Sequence, residues 1–328
     1  MNARDYAVVL GVNHYPAFRP LEGAIEDAER VHAWLTDPLG GGLPENNCKL
    51  LRSSAPPPAP LQDLIDDAFV EVLERPERRR RLYFYFSGHG VAQVQDDVSM
   101  CLAKWSETFR AMSLSYRDYQ KTLRDWARFE QIVIWLDCCR VRNFSVRGLG
   151  PTFPPPMPLP DAPQVRTMVG FATEFEDVAY EAGRGVFTTV LLEGLRGGAV
   201  DPATGRTTAD GLRDYLERET PRRASALGLK QQARVLSEFN SEPAYDFGPL
   251  HAVTPTVPVC IEFTEGRTGL IEVEAASGNT LKSGDAATGP WELELERDAV
   301  HILRELRTGT ERVLRPRMTT RGRYEFRF

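Results

Sequence analysis

Unbroken apolar runs alternate with amphipathic segments along the first two thirds of the chain. Residues 6–12 form a continuous apolar run, which predicts a strand buried on both faces. Residues 21–35 place apolar side chains at helical spacing. Further helical patterns occur at 61–73, 116–129, 185–196 and after Thr208, and further strand-like runs occur at 48–51, 83–86, 132–136, 167–173 and 232–236. This alternation predicts βαβ units, and hence an α/β fold with a mostly parallel central sheet flanked by helices.

Residues 141–166 interrupt this alternation. Proline occurs six times between residues 151 and 160, and proline excludes both helix interiors and central strands. We therefore expect a long Pro-rich loop that separates a large portion, residues 1–140, from a small portion, residues 167–248. From residue 249 to 328, short alternating runs separated by glycine and proline turns predict a small C-terminal all-β domain.

Two of the apolar runs stop at residues that can perform covalent chemistry. One run leads into His89 and the other into Cys139. In parallel sheets, ligands bind at the carboxyl ends of the strands, where both residues are expected. An imidazole and a thiol at that edge are the two side-chain groups that acyl transfer through a cysteine requires.

Composition and charge narrow the classes of function. With 328 residues, of which 42% are hydrophobic and 26% charged, the chain has the composition of a globular protein. Its formal net charge of −6 gives no nucleic-acid-binding signature. No apolar run reaches the roughly 20 residues that a membrane helix needs, and the first residues lack a signal-peptide pattern. We therefore expect a cytoplasmic protein with neither nucleic acid nor membrane as a partner.

The cysteines do not form a recognisable framework. The chain has five, at positions 48, 101, 138, 139 and 260, which is an odd number at irregular spacing. No CxxC pair is present, so neither a disulfide network nor a zinc site is expected. The sequence predicts no metal site and no cofactor.

Five short motifs, taken in order, resemble those of one protein family. They are Gly11-Val12-Asn13-His14-Tyr15, residues 21–28, Ser87-Gly88-His89-Gly90, Asp137-Cys138-Cys139-Arg140, and Ala179-Tyr180-Glu181 followed by residues 185–188. Cys139 follows His89 by 50 residues and precedes an arginine, as in caspases. Over residues 5–240, the chain therefore resembles the caspases and metacaspases, peptidase family C14. The resemblance implies the caspase-hemoglobinase fold and a cysteine endopeptidase, in a bacterial enzyme of defence or regulated cell death.

Either of two adjacent cysteines, Cys138 or Cys139, could be the nucleophile. In the family pattern, the catalytic thiol precedes Arg or His, which is the position of Cys139 and not of Cys138. Neighbouring residues of a strand face opposite ways, so Cys138 is expected to be buried as a small apolar residue.

The resemblance assigns a role to each catalytic group. Cys139 would attack the scissile carbonyl, and His89 would assist thiolate formation and protonate the leaving amine. The backbone N–H groups of Gly90 and Cys139 would stabilise the oxyanion. The glycine would also remove a side chain that would otherwise crowd the substrate. No third residue that orients the imidazole is apparent in the sequence; in the family, a backbone carbonyl usually takes this role.

Three further residues predict which substrate residue precedes the cut. Asp137 stands where caspases have a glutamine, as in metacaspases, and a carboxylate there repels an acidic side chain and attracts a cation. Asp27 matches a second acidic residue of the metacaspase pocket, and Ser87 matches a hydroxyl that lines it. Together they predict cleavage after Arg, and after Lys as the second choice. Alternatively, Asp27 is a solvated residue on a helix face, and Asp137 has no part in binding.

The Pro-rich loop and the segment after His89 raise two questions of regulation. Arg142, Arg147 and Arg166 are candidate sites of self-cleavage, unless the loop remains an uncut surface segment. Metacaspases use calcium through an acidic cluster after the histidine, and here the pair Asp96 and Asp97 is the only counterpart. A solvated hairpin turn is the favoured interpretation of that pair, so calcium dependence is not expected.

Two other classes of function stay open at this point. The chain could be a non-catalytic binding or regulatory module with a caspase-like fold, or a different thiol hydrolase, such as an amidase. For an endopeptidase the partner is a protein substrate, and the β domain could bind that substrate or an activator. Glu181 could shape the substrate cleft and could equally be structural.

Overall fold

The computed structural model describes most of the chain. The described residues are 2–53, 58–75, 77–95, 97–143, 146–154, 164–180, 185–240, 242–250, 256–264, 266–275, 278–317 and 323–328. The chain divides into two compact units. The first comprises Met1–Asp201 and Arg206–His251, and the second comprises Pro202–Gly205 and Ala252–Phe328.

The first unit is built around a six-stranded sheet. Its elements are β1 Asp5–Gly11, α1 Ala24–Thr36, β2 Cys48–Arg52, α2 Gln62–Leu73, β3 Arg79–Ser87, β4 Gly90–Ala92, β5 Ser99–Cys101, β6 Ser113–Ser115, α3 Tyr116–Trp126, β7 Phe129–Asp137, β8 Val141–Arg142, β9 Arg166–Phe171, α4 Val186–Glu193, α5 Ala209–Ala226 and β10 Arg234–Ser237. The large sheet has the order β10-β9-β7-β3-β1-β2, and only its β10–β9 pair is antiparallel. The predicted α/β class, with a mostly parallel sheet, is confirmed.

Both faces of this sheet are buried, which explains why its strands are apolar without alternation. In β3, Leu82, Phe84 and Phe86 belong to one core cluster, and Tyr83 and Tyr85 belong to the other. Helices α2 and α3 contribute buried residues to the first cluster, and α1, α4 and α5 contribute to the second. A parallel sheet covered by helices on both sides requires apolar residues at consecutive positions.

The strand register brings the two chemically active segments together. β3 and β7 are parallel neighbours, and Ser87 at the end of β3 is paired with Asp137 at the end of β7. His89 and Cys139 each follow two residues later. A second, four-stranded sheet, with the order β6-β5-β4-β8, is formed by the short strands that follow this edge. The sequence pattern did not predict it, because its strands are only two or three residues long.

Parts of the expected loop 141–166 are anchored. It begins with β8, and β9 starts at its last residue, Arg166. Between them, Val146 and Phe153 are buried in the core. Most of its proline run, residues 155–163, lies outside the described residues.

Among its described residues, the second unit has strands and one helical turn, Ala286–Thr288. Its strands are β11 Thr256–Glu262, β12 Leu270–Ala275, β13 Thr280–Asp285, β14 Trp291–Glu296, β15 His301–Glu305, β16 Glu311–Leu314 and β17 Tyr324–Arg327. They form a three-stranded sheet, β14-β11-β17, and a four-stranded sheet, β13-β12-β15-β16. Residues such as Val259, Ile271 and Trp291 form a core that belongs to this unit alone. The predicted all-β character is confirmed. Strand β13 has no buried residue.

In the described part of the chain, no helix is both long and apolar enough to span a membrane.

Candidate active site

His89 and Cys139 line the same cleft at the carboxyl edge of the large sheet. The cleft has a volume of about 650 Å³. Its walls are formed by residues 19–22 of the β1–α1 segment, Ser87–His89 after β3, Asp137–Cys139 after β7, Val178–Tyr180, and Gly185. The two groups that the sequence singled out for chemistry are therefore brought together with two of the three predicted pocket residues.

The imidazole of His89 is fixed by the segment between β1 and α1. Its Nε2 atom lies 2.7 Å from the carbonyl oxygen of Arg19. A carbonyl oxygen only accepts hydrogen bonds, so Nε2 carries the proton and Nδ1 is the nitrogen left for proton exchange. Tyr15 accepts the backbone N–H of His89 at 2.9 Å, and its ring centroid lies 4.7 Å from the imidazole.

Burial keeps this imidazole neutral. The desolvation of His89 lowers its pKa below the ordinary value of 6.5, and the nearby Arg19 side chain acts in the same direction. The hydrogen bond to the Arg19 carbonyl opposes this shift, because it favours the protonated ring. A neutral ring with Nδ1 unprotonated can accept a proton from a thiol.

The two adjacent cysteines have different environments. Cys138 is only 2% exposed, and burial raises the pKa of its thiol well above the ordinary value. Cys139 is partly exposed, and its Sγ atom accepts the backbone N–H of Ala179 at 3.3 Å. Strand alternation predicted this difference. Cys139 is thus the thiol that faces the cleft.

Gly90 has a structural reason to lack a side chain. A Cβ atom there would lie 2.6 Å from both the Sγ atom of Cys138 and the carbonyl oxygen of Cys139. The side chain is therefore excluded by atoms of Cys138 and Cys139 themselves. The role of its N–H group toward an oxyanion stays a prediction.

Asp27 and Asp137 meet at the start of α4. A Cβ atom at Gly185 would overlap the Oδ2 atoms of both Asp27 and Asp137. The two carboxylates therefore lie close together beside Gly185. The backbone N–H of Gly185 donates to Asp27 at 2.7 Å, and the N–H and hydroxyl of Thr188 donate to Asp137 at 3.1 and 2.6 Å. The two N–H groups belong to the N-cap and the first turn of α4, where the helix dipole stabilises negative charge. Ser87, buried, lines the cleft beside them.

Asp27 is not the solvated surface residue that one interpretation of the sequence expected. It is fully buried, and Arg30 on the same helix donates to its Oδ1 atom at 3.1 Å. Burial and the neighbouring charge of Asp137 raise the pKa of Asp27 from 3.8 to about 7. The two carboxylates and Arg30 together carry one net negative charge when both acids are ionised.

Comparison with known proteins places this site in a family. The family model described as the caspase domain, peptidase family C14, matches residues 4–243. The chain belongs to this family. The caspase domain therefore includes β1 to β10, and the predicted caspase-like fold is confirmed.

Individual proteins are similar to this chain to different extents. A probable protease from a Desulfuromonadales bacterium is 31% identical over 217 residues, which cover 59% of this chain and 26% of that protein. The chain thus matches about a quarter of the length of that relative. A crystal structure of a protein from Geobacter sulfurreducens has the same fold, with a TM-score of 0.52 at 16% identity over 76% of this chain and 99% of that one. Caspase-1 from Spodoptera frugiperda gives a TM-score of 0.47 at 13% identity, over 72% and 87% of the two chains.

The three candidate cleavage sites of the caspase domain differ in exposure. Arg142 lies in β8 and forms an ion pair with Glu176 at 2.8 Å. Arg166 begins β9 and donates to the carbonyl oxygen of Glu238 at 3.1 Å. Arg147 is exposed and lies outside any strand. Arg142 is exposed too, so Arg147 differs from it in lying outside any strand.

The acidic pair considered for calcium is only partly described. Asp96 lies outside the described residues, as does Glu181. Asp97 accepts the backbone N–H groups of Val98 and Arg117 at 2.7 and 3.3 Å. Its carboxylate thus caps the start of α3. Among the residues that the structure describes, no group of three or more His, Cys, Asp or Glu side chains could hold a metal ion. None of the five cysteines, all of them described, forms a disulfide.

Sequence reasoning did not find several residues that build the site. The contact of the Arg19 carbonyl with His89 cannot be predicted from the sequence. Every residue has a backbone carbonyl, and only the conformation of the loop directs this one toward the imidazole. Gly185 and Thr188 were noted in the family motif, but their contacts with the two aspartates were not anticipated. Tyr15 was likewise part of a motif, without an assigned role.

Proposed function

We propose that this protein is a cysteine endopeptidase that cleaves protein substrates after Arg, and less readily after Lys, through a dyad of Cys139 and His89. One observation carries the proposal: the cleft that holds the thiol and the imidazole has Asp137 in its wall, with Asp27 immediately behind. Membership of the caspase domain family supports the reaction type.

The proposed reaction is thioester chemistry. The Sγ atom of Cys139 attacks the scissile carbonyl carbon after Nδ1 of His89 has taken the thiol proton. When the C–N bond breaks, the imidazolium returns that proton to the departing amine. Water then hydrolyses the thioester and restores the thiol. The N–H groups of Gly90 and Cys139 are the proposed donors to the oxyanion.

Charge favours a basic residue before the cut. When Asp27 and Asp137 are both ionised, their cluster with Arg30 carries one net negative charge, which one incoming cation balances. An acidic substrate side chain would instead meet two carboxylates. Guanidinium has a planar set of donors that can bind two carboxylate oxygens at once, so Arg should exceed Lys.

A panel of peptides tests this proposal. Fluorogenic substrates with Arg, Lys, Asp or Leu before the cut are expected to give the order Arg, Lys, then little turnover of the other two. Cys139→Ala should lower turnover by about a thousandfold or more, whereas the matched Cys138→Ala variant should keep the same substrate order. Turnover of the Asp peptide with none of the Arg peptide would refute the pocket assignment, and full activity of Cys139→Ala would refute the nucleophile.

We also propose self-processing, with Arg147 as the preferred position because it is exposed and lies outside any strand. Intact mass spectrometry of wild type and Cys139→Ala would reveal it. The proposal expects fragments that end at Arg147 in the wild type alone. Only intact chain in both proteins would refute it.

A further inference from the structure

An exposed aromatic ring lies against the catalytic imidazole. Phe18 is 39% exposed, and its ring centroid lies 4.9 Å from that of His89, edge to face at 75°. On another side, the same ring contacts Trp105 at 4.9 Å, and Trp105 is only 2% exposed. A buried tryptophan therefore backs a phenylalanine that presents part of its surface to solvent beside the cleft.

The imidazole does not depend on Phe18 for its position. Nε2 is held by the carbonyl of Arg19, and the backbone of His89 is held by the hydroxyl of Tyr15. An exposed phenylalanine on a loop gains little from burial by itself. The ring thus offers apolar surface that the fold leaves partly uncovered.

The proposed chemistry fixes which part of a substrate reaches this ring. In the proposed reaction, the side chain before the cut points to Asp137 and Ser87 in the wall of the cleft. The leaving amine must come within hydrogen-bond distance of His89 to take its proton. The residue that bears this amine, P1′, therefore lies beside the imidazole, on the side of the β1–α1 segment that carries Phe18.

We propose that Phe18, backed by Trp105, forms a subsite for an apolar side chain at P1′, such as Leu, Met or Phe. The inference rests on the proposed peptidase function. The Arg19 side chain, near enough to the imidazole to lower its pKa, makes a cationic P1′ residue unfavourable. Preferred substrates thus combine a basic residue before the cut with an apolar residue after it.

Internally quenched peptides with Arg at P1 and either Leu, Ser or Lys at P1′ test the subsite. In the wild type, kcat/KM for the Leu peptide should exceed that for the Ser peptide about fivefold, as expected for partial burial of an aliphatic side chain. The Lys peptide should be the slowest. Phe18→Ala should lower the ratio of kcat/KM for the Leu and Ser peptides to about two or less. Phe18→Leu should keep most of the wild-type preference for the Leu peptide.

Controls separate this role from others. Leu39→Ala removes an apolar residue that is 81% exposed, just beyond the far end of α1, and should leave the ratio unchanged. If Phe18→Ala slows all peptides equally, the ring only positions the imidazole and the subsite is refuted. A wild-type ratio near one also refutes the subsite, but leaves the proposed function intact. Failure of the wild type to cut any of the peptides would overturn both.

Discussion

At the scale of single residues, the protonation of His89 is the first property that can be measured. Its burial lowers the pKa, so the ring should titrate below 6.5. The proton-accepting form is then complete above pH 6.5 and is lost as the pH falls through the lowered value. NMR titration of the ring protons, assigned by comparison with His89→Gln, measures this directly. A pKa at or above 6.5 would instead indicate an ion pair with a Cys139 thiolate.

Asp27 makes a prediction about stability. Its pKa is about 7 in the folded chain and 3.8 ordinarily, so the folded state binds the proton more tightly than the unfolded state. The resulting stabilisation is complete below pH 3.8 and is lost as the pH rises to about 7. The Asp27→Asn side chain can still accept the Gly185 N–H but does not ionise. The variant therefore does not lose folding stability through ionisation at this position as the pH rises. Its melting temperature relative to wild type should therefore rise between pH 5 and pH 8; a constant difference would contradict the buried charge.

The sequence was informative about these residues where chemistry depends on side chains. His89, Cys139 and Asp137 stand at strand ends in recognisable motifs, and their common cleft followed from the parallel sheet. The sequence could not reveal the Arg19 carbonyl or the contact of Phe18 with the imidazole, because both depend on the conformation of one loop.

At the scale of elements, the N-cap and first turn of α4 hold both carboxylates of the proposed pocket. Replacement of Gly185 by Ala would push its Cβ into Asp27 and Asp137. We expect Gly185→Ala to reduce kcat/KM for Arg peptides at least about tenfold, because displaced carboxylates no longer bind a guanidinium. The control, Gly150→Ala, meets no atom nearer than the Cβ of Asp118 at 3.3 Å, which requires only a small shift away from the cleft, so its effect on kcat/KM should be much smaller. Cooperative unfolding of both variants shows that they are folded, and full activity of Gly185→Ala would contradict the pocket.

Elements were predictable in proportion to their length and burial. The run predicted as a strand at 6–12 is β1 Asp5–Gly11, and the helix predicted at 61–73 is α2 Gln62–Leu73. Thr208 caps α5 as expected, since its side chain accepts the N–H of Gly211. In contrast, β13 carries no apolar pattern, and β4 and β8 are too short to show one. Their pairing depends on distant partners that local sequence does not encode.

At the scale of the whole molecule, each unit contains its own core. The clusters that flank the large sheet lie within residues 6–247, and the cluster of the β unit lies within residues 259–328. A chain ended after Leu250 should therefore unfold cooperatively and keep its preference for Arg peptides. Circular dichroism melts and the peptide panel measure both properties. A non-cooperative melt would show that the first unit depends on the second, and would also argue against the proposed division at residues 248 and 249.

The most direct test of the proposed chemistry is covalent trapping. A peptide that ends in an arginine ketone with a leaving group should alkylate the thiol that its guanidinium positions, and tandem mass spectrometry distinguishes Cys138 from Cys139. We predict one adduct, on Cys139, that is formed much more slowly by the matched aspartyl reagent and is abolished in His89→Gln. An adduct on Cys138, or faster labelling by the aspartyl reagent, would contradict the proposed active site.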